Sequence, residues 1–227
     1  MKIGGIQKFS TVDYPGYAVA SIFTIGCNMR CGYCHNPELV LPEQYVGEIP
    51  SDEVLEFLAS RRGLLDGVAI SGGEPTMQED LPEFIGRIKS MGFRVKLDTN
   101  GTNPEMVKLL IDQKLVDFIA MDIKGPLDKY VQIAARPVDL DAIQESIRLI
   151  KTIDHEFRTT IVRSQLELSD FEAIGKLVDG GRRFALQHFV PGNTVSPSFR
   201  GSETFTPKEM QDAKVIMSRH VSECVVH

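Results

Sequence analysis

The 227 residues contain only four cysteines, no apolar run longer than Ala18 to Ile25, and no excess of basic charge. Each shortage excludes something. Four cysteines are too few for a disulfide scaffold. An apolar run of strand length cannot cross a bilayer. A formal charge of −6 leaves no footprint for nucleic acid or an anionic membrane. Met1-Lys2-Ile3-Gly4-Gly5 lacks a charged segment leading into an apolar one, so export is not expected and the chain reads as soluble and cytoplasmic. Fixed-period repeats and low-complexity tracts are also missing. At 42% hydrophobic residues, the composition is that of a globular chain able to bury a core.

What is present is an alternation of short β-rich apolar runs and amphipathic helical patterns. Strands are expected at 18–24, 68–71, 94–98, 118–122, 157–162 and 184–189. Helices are expected at 51–61, 79–91, 104–113, 140–152 and 169–178. Asn103-Pro104-Glu105 is a clear helix start, and Thr206-Pro207 opens a last helix at about 206–220. Residues 38–50, 125–138 and 191–207 read as irregular. Such alternation implies βαβ units and a parallel sheet. Six strands fall short of a closed eight-fold barrel, so an open or partial α/β barrel is expected, with a doubly wound sheet as the alternative, as one domain over 1–227.

In parallel α/β folds, chemistry gathers at the carboxyl ends of the strands. The unusual residues obey that rule. Cysteines follow the first predicted strand, Ser71-Gly72-Gly73-Glu74-Pro75 the second, and Asp98-Thr99-Asn100-Gly101 the third. Asp122-Ile123-Lys124 ends the fourth and His188 the sixth.

The loop at 26–36 carries Cys27, Cys31, Cys34 and His35. Three thiolates would hold three irons of a [4Fe–4S] cluster and leave the fourth open for a ligand. Zinc accepts a Cys3His set, although adjacent Cys34 and His35 converge poorly on one tetrahedral centre. Cys31-x-x-Cys34-His35 also matches a covalent haem site, which leaves Cys27 unexplained.

Cys-x3-Cys-x2-Cys with Tyr33 before the last cysteine resembles the signature of radical S-adenosylmethionine enzymes, and Gly72-Gly73-Glu74-Pro75 is similar to their second motif. Thr11-Val12-Asp13-Tyr14-Pro15-Gly16, Cys34-His35-Asn36-Pro37 and Asp98-Thr99-Asn100-Gly101 narrow the likeness to the glycyl-radical-enzyme activases. Within them it is nearest to those acting on anaerobic (class III) ribonucleoside-triphosphate reductase. The resemblance implies a partial (β/α)6 barrel and a [4Fe–4S] cluster on Cys27, Cys31 and Cys34. It implies reductive cleavage of S-adenosylmethionine to a 5′-deoxyadenosyl radical, and hydrogen abstraction from a glycine of a partner enzyme. A low-potential donor such as a flavodoxin or ferredoxin would supply the electron; nucleic acid and membrane are not expected partners.

The same resemblance distributes roles. Gly72 and Gly73 let backbone approach the methionine moiety, and Glu74 either adds a charge or holds the turn. Lys124 pairs with the ligand carboxylate. Tyr33, Arg158 and His188 lie near the nucleoside, and Asn100 joins the cofactor set. Asp98, Thr99 and Asp122 form a possible monovalent-cation site; alternatively the two carboxylates cap helices or meet basic partners. Asp13 and His35 face the protein substrate. Read without the family, Gly72-Gly73 is an ordinary turn, His188 and Tyr33 pack, and Asp13-Tyr14-Pro15-Gly16 is a turn. Cys224 has no partner and is read as structural. Competing readings are activation of a pyruvate formate-lyase type enzyme, a small-molecule radical enzyme, or a non-catalytic zinc or Fe–S module.

Overall fold

Eight strands lie side by side in chain order in a computed structural model that describes residues 1–227. They are β1 (Ile3–Ser10), β2 (Val19–Thr24), β3 (Gly67–Gly72), β4 (Arg94–Thr99), β5 (Phe118–Asp122), β6 (His155–Ile161), β7 (Gly181–His188) and β8 (Val221–Val226). Strands β2 to β8 run parallel, and β1 runs antiparallel to β2. The two edge strands β1 and β8 do not pair with each other, so the sheet stays open as a partial barrel. No helix is long and apolar enough to cross a membrane.

The helices are α1 (Pro37–Val40), α2 (Ser51–Ala59), α3 (Leu81–Ser90), α4 (Pro104–Asp112), α5 (Leu127–Ala134), α6 (Leu140–Ile150), α7 (Asp170–Leu177) and α8 (Pro207–Met217). Asn103 caps α4 by accepting from the Met106 N–H, and Thr206 with Glu209 forms a reciprocal capping box on α8. Period-two alternation then sorts the strand side chains. Val95, Leu97, Ile119 and Met121 join the helices in a core cluster of 48 buried residues. The alternate positions face the inside of the barrel. There the registers align Ser21, Ala69, Lys96 and Phe118 in one row and Asp98, Ala120 and Glu156 in the next. Asp122, Arg158 and Ala185 form a row above that.

The six expected strands are β2 to β7, each within a few residues of its predicted limits. The structure corrects the ends. β1 escapes sequence reading because it carries two glycines and an exposed stretch at Gln7–Phe9. The last helix stops at Met217, short of His220, and Val221–Val226 turns back as β8. The stretch 125–138 is not irregular throughout: Tyr130, Ile133 and Ala134 give α5 a buried stripe. Within 38–50 lie most of α1 and one 3-10 turn. Cys224 is buried in β8 and packs into the core, in keeping with a structural role.

Candidate active site

The chain leaves β2 and turns at Gly26, where φ is +101°. The loop that follows is pinned by backbone. Gly26 donates to the Leu39 carbonyl at 2.8 Å, and Glu74 N–H donates to the Gly26 carbonyl at 2.7 Å. Arg30 folds its guanidinium under the loop, donating to the carbonyls of Cys27 (2.5 Å) and Met29 (2.7 Å). Its own N–H reaches the Ala134 carbonyl at the end of α5. From outside, Val195 and Ser196 donate to the carbonyls of Cys34 and Gly32, both at 2.9 Å. Phe199 lies so close over Gly32 that a Cβ there would fall 2.4 Å from its ring. The bracing role of Arg30 and the cover by Phe199 were not legible, because the first is made to backbone carbonyls and the second to a glycine far away in sequence.

Cys27, Cys31 and Cys34 are free thiols lining one cavity of about 220 Å³. No three His, Cys, Asp or Glu side chains gather tightly enough to hold a single ion. Three thiolates can hold a polynuclear cluster, in which each binds a different metal, whereas a structural zinc ion takes four ligands. Burial, with Glu74 adding, pushes the Cys27 thiol up to about 12, and burial raises Cys31 and Cys34 as well. Bare thiolates are thus disfavoured here, and a bound cationic centre is what would stabilise them.

The Gly72-Gly73-Glu74 segment lines the cavity and packs on the cysteine loop. Gly72 has φ +115°, and a Cβ on Gly73 would sit 2.0 Å from the Gly26 carbonyl oxygen. The close approach that demands glycine is thus to the cysteine loop's own backbone, with Gly73 N–H donating to the Thr24 carbonyl at 2.9 Å. Glu74 is 1% exposed and its carboxylate has four protein donors. Oε1 accepts from Thr76 N–H, Thr76 Oγ1 and Thr99 Oγ1 at 3.1, 2.6 and 2.7 Å. Oε2 accepts from Asn100 N–H at 2.6 Å. Of its two expected roles, the structure displays the holding one. Asn100 acts likewise: its Nδ2 donates to Asn28 of the cysteine loop at 2.9 Å.

Across the cavity stands a ladder of charges. Lys96 Nζ lies 2.5 Å from Asp98 Oδ1, and Arg158 bridges Asp98 (3.4 Å) and Asp122 (2.9 Å). Lys124 Nζ is 3.2 Å from Asp122 Oδ2 and 5.9 Å from the centre of the Tyr33 ring. Burial favours the neutral carboxyls, but it is outweighed. Arg158 and Lys96 hold Asp98 below the usual range, while Lys124 and Arg158 do so for Asp122. Lys124 in turn is held well above the ordinary lysine value against its burial, chiefly by Asp122. The carboxylate pair has therefore met basic partners. Thr99, third member of the expected cation set, spends its hydroxyl proton on Glu74. Arg158 thus pairs with two half-buried acids.

Two expected residues lie outside the cavity. His188 lines an adjoining open groove of about 380 Å³, which shares His35 and Thr160 with the cavity. Asp13 sits near the opposite end of β2, accepting from Ser21 Oγ at 2.6 Å. Beside it Tyr14 is buried with Val19 and Ala69. His35 lies at the mouth, donating from Nε2 to the Val190 carbonyl at 2.7 Å and stacking on Phe189.

The sequence profile of the radical SAM superfamily matches residues 21–177, which span every strand from β2 to β5 and the Arg158 strand β6. A Methanocaldococcus jannaschii protein named as a candidate glycyl-radical enzyme activating enzyme is 36% identical over 99% of this chain and 95% of its own length. The chain belongs to the radical SAM superfamily and its glycyl-radical-enzyme activating family. The pyruvate formate-lyase-activating enzyme of Staphylococcus aureus is 32% identical over 58% of the chain and 57% of that enzyme. Among solved structures, Streptococcus suis SuiB bound to S-adenosylmethionine superposes with a TM-score of 0.67 over 89% of this chain and 48% of that one. At 14% identity that likeness speaks for the fold alone.

A radical SAM enzyme uses a [4Fe–4S] cluster and S-adenosylmethionine, and the donor set fits both. Cys27, Cys31 and Cys34 would hold the cluster, and Lys124, which lines the same cavity, would meet the ligand's carboxylate. When bound, the pair supplies one-electron cleavage of a carbon–sulfur bond; the chain supplies placement and exclusion of water.

Proposed function

We propose that this chain generates a glycyl radical on a partner enzyme, and that the partner is an anaerobic ribonucleoside-triphosphate reductase. The observation that carries the reading is the meeting, in one cavity, of three free thiols on a backbone-pinned loop with the Lys124 ammonium opposite. The first half suits a cluster with one open metal, and the second suits a zwitterionic ligand bearing a carboxylate. A likeness over nearly the whole chain to a protein named for glycyl-radical activation favours a protein substrate. The Asp13-Tyr14-Pro15-Gly16 turn favours the reductase. A second reading, activation of a pyruvate formate-lyase type enzyme, draws on the 32% identity to the staphylococcal activase.

In this proposal residues 1–227 act as one domain in the cytoplasm, fed by a flavodoxin or ferredoxin. Asp13 and His35 contact the partner, and Tyr33, Arg158 and His188 border the nucleoside. The test is anaerobic reconstitution, reduction, and assay of 5′-deoxyadenosine from S-adenosylmethionine. It is followed by electron paramagnetic resonance after adding either the reductase or pyruvate formate-lyase. A glycyl radical only with the reductase supports the proposal; one only with the lyase favours the second reading. Turnover with neither partner activated would point to a small-molecule substrate.

A further inference from the structure

The family resemblance includes a monovalent cation near Asp98, Thr99 and Asp122, and the residues present do not fit one. Both carboxylates are already in ion pairs, and Thr99 Oγ1, which donates to Glu74, also accepts from the Gly101 N–H at 3.1 Å. The side chain responsible is Lys96, which no motif singles out. It is only 2% exposed, one row below Asp98 on the inner face, with its ammonium 2.5 Å from Asp98 Oδ1.

The ion pairs show what Lys96 does. Lys96 pairs with Asp98, Lys124 with Asp122, and Arg158 with both, so each carboxylate has two cationic partners. Of the other charged groups nearby, Arg183 pairs with Glu156 at 2.9 Å and with Glu223 at 3.8 Å, and Glu74 is held by its four protein donors. Without Lys96, Asp98 keeps only Arg158, at 3.4 Å, and a carboxylate that is mostly out of water loses its nearest cation.

We infer that Lys96 is a built-in cation: it takes the place of a bound alkali ion at Asp98, frees this chain from any monovalent-cation requirement, and its removal opens a site for one. It is a positioning residue, acting on the ligand through Asp98 and Arg158. The inference rests on S-adenosylmethionine being the cavity's ligand, not on which partner is activated.

The test compares anaerobically reconstituted wild type with Lys96→Ala at constant ionic strength. The salts are potassium, sodium, ammonium or N-methylglucamine chloride, the last being too large to enter. Melting temperature and S-adenosylmethionine affinity by equilibrium dialysis are measured beside 5′-deoxyadenosine formation. Wild type should bind within about twofold in all four salts. The variant should lose about tenfold in affinity and melt lower in N-methylglucamine, as expected for a buried charge left unpaired, and recover in potassium or ammonium. Lys96→Met, which keeps bulk without charge, should repeat that response; if Lys96→Ala fails to fold in every salt, Lys96→Met and the wild-type series decide the matter. A wild type that needs potassium, or a folded variant indifferent to the cation, overturns the inference. Absence of turnover would sink the activase reading while leaving the binding and melting results to judge Lys96.

Discussion

The two walls of the cavity are built on opposite principles. The cysteine wall is incomplete by itself: three thiols whose ionised forms are disfavoured by burial, on a loop braced by Gly73, Glu74, Asn100 and Arg30. The charged wall is complete by itself, since Lys96, Arg158 and Lys124 already satisfy Asp98 and Asp122. Protein side chains can neutralise carboxylates at almost no covalent expense, whereas buried thiolates need a metal centre. The first wall therefore depends on what is loaded into it, and the second is set at folding.

The largest effect expected from breaking this contrast is Cys31→Ala. It should reduce iron and sulfide content and abolish 5′-deoxyadenosine formation to background, while the melting temperature of the unloaded protein changes little. A variant retaining a full cluster would contradict the three-thiol assignment. On the other wall, Arg158→Met leaves two carboxylates without their bridge and should cost about 3 kcal/mol even before anything is loaded, read by denaturant unfolding. A loss under about 1 kcal/mol would mean that the ladder is not self-sufficient.

The brace between the walls is probed by Gly73→Ala. Its Cβ would strike the Gly26 carbonyl, forcing the loop to shift at a cost of about 1–3 kcal/mol. Cluster content should fall with stability in this variant alone among the non-cysteine changes. The smallest effect is on acid titration. Burial raises the Asp98 carboxyl, but Arg158 and Lys96 hold it below the ordinary value. The stability it contributes is thus fully present above about pH 4 and is lost as pH falls through the depressed value. Asp98→Asn should be less stable at pH 7 and should melt with a shallower fall below about pH 4. Parallel curves for the two proteins would remove Asp98 from the ladder.

Much of this was readable from the chain. The cysteine spacing, Gly72-Gly73-Glu74-Pro75 and Asp98-Thr99-Asn100-Gly101 fall at strand ends, because β2, β3 and β4 are apolar enough to declare themselves. β1 was hidden by Gly4 and Gly5, which dilute its pattern, and by exposure along one stretch. α5 carried a helical stripe, but Gly125-Pro126 before it reads as a loop. Glu74 illustrates the harder limit. A carboxylate beside two glycines suggests a ligand contact, yet its four donors come from Thr76, Thr99 and Asn100, partly on a neighbouring strand.

The sequence by itself determined the chemistry: three thiols within one loop, and a parallel sheet whose carboxyl ends carry the polar residues. Local periodicity and motif spacing suffice for that, because each is a property of neighbours along the chain. Only the tertiary structure decided that Lys96 points inward at Asp98, that Gly73 exists to clear Gly26, and that Asp13 and His188 lie outside the cavity. Those facts depend on strand register and on contacts between distant segments, which a parallel crossover fixes but local pattern does not encode.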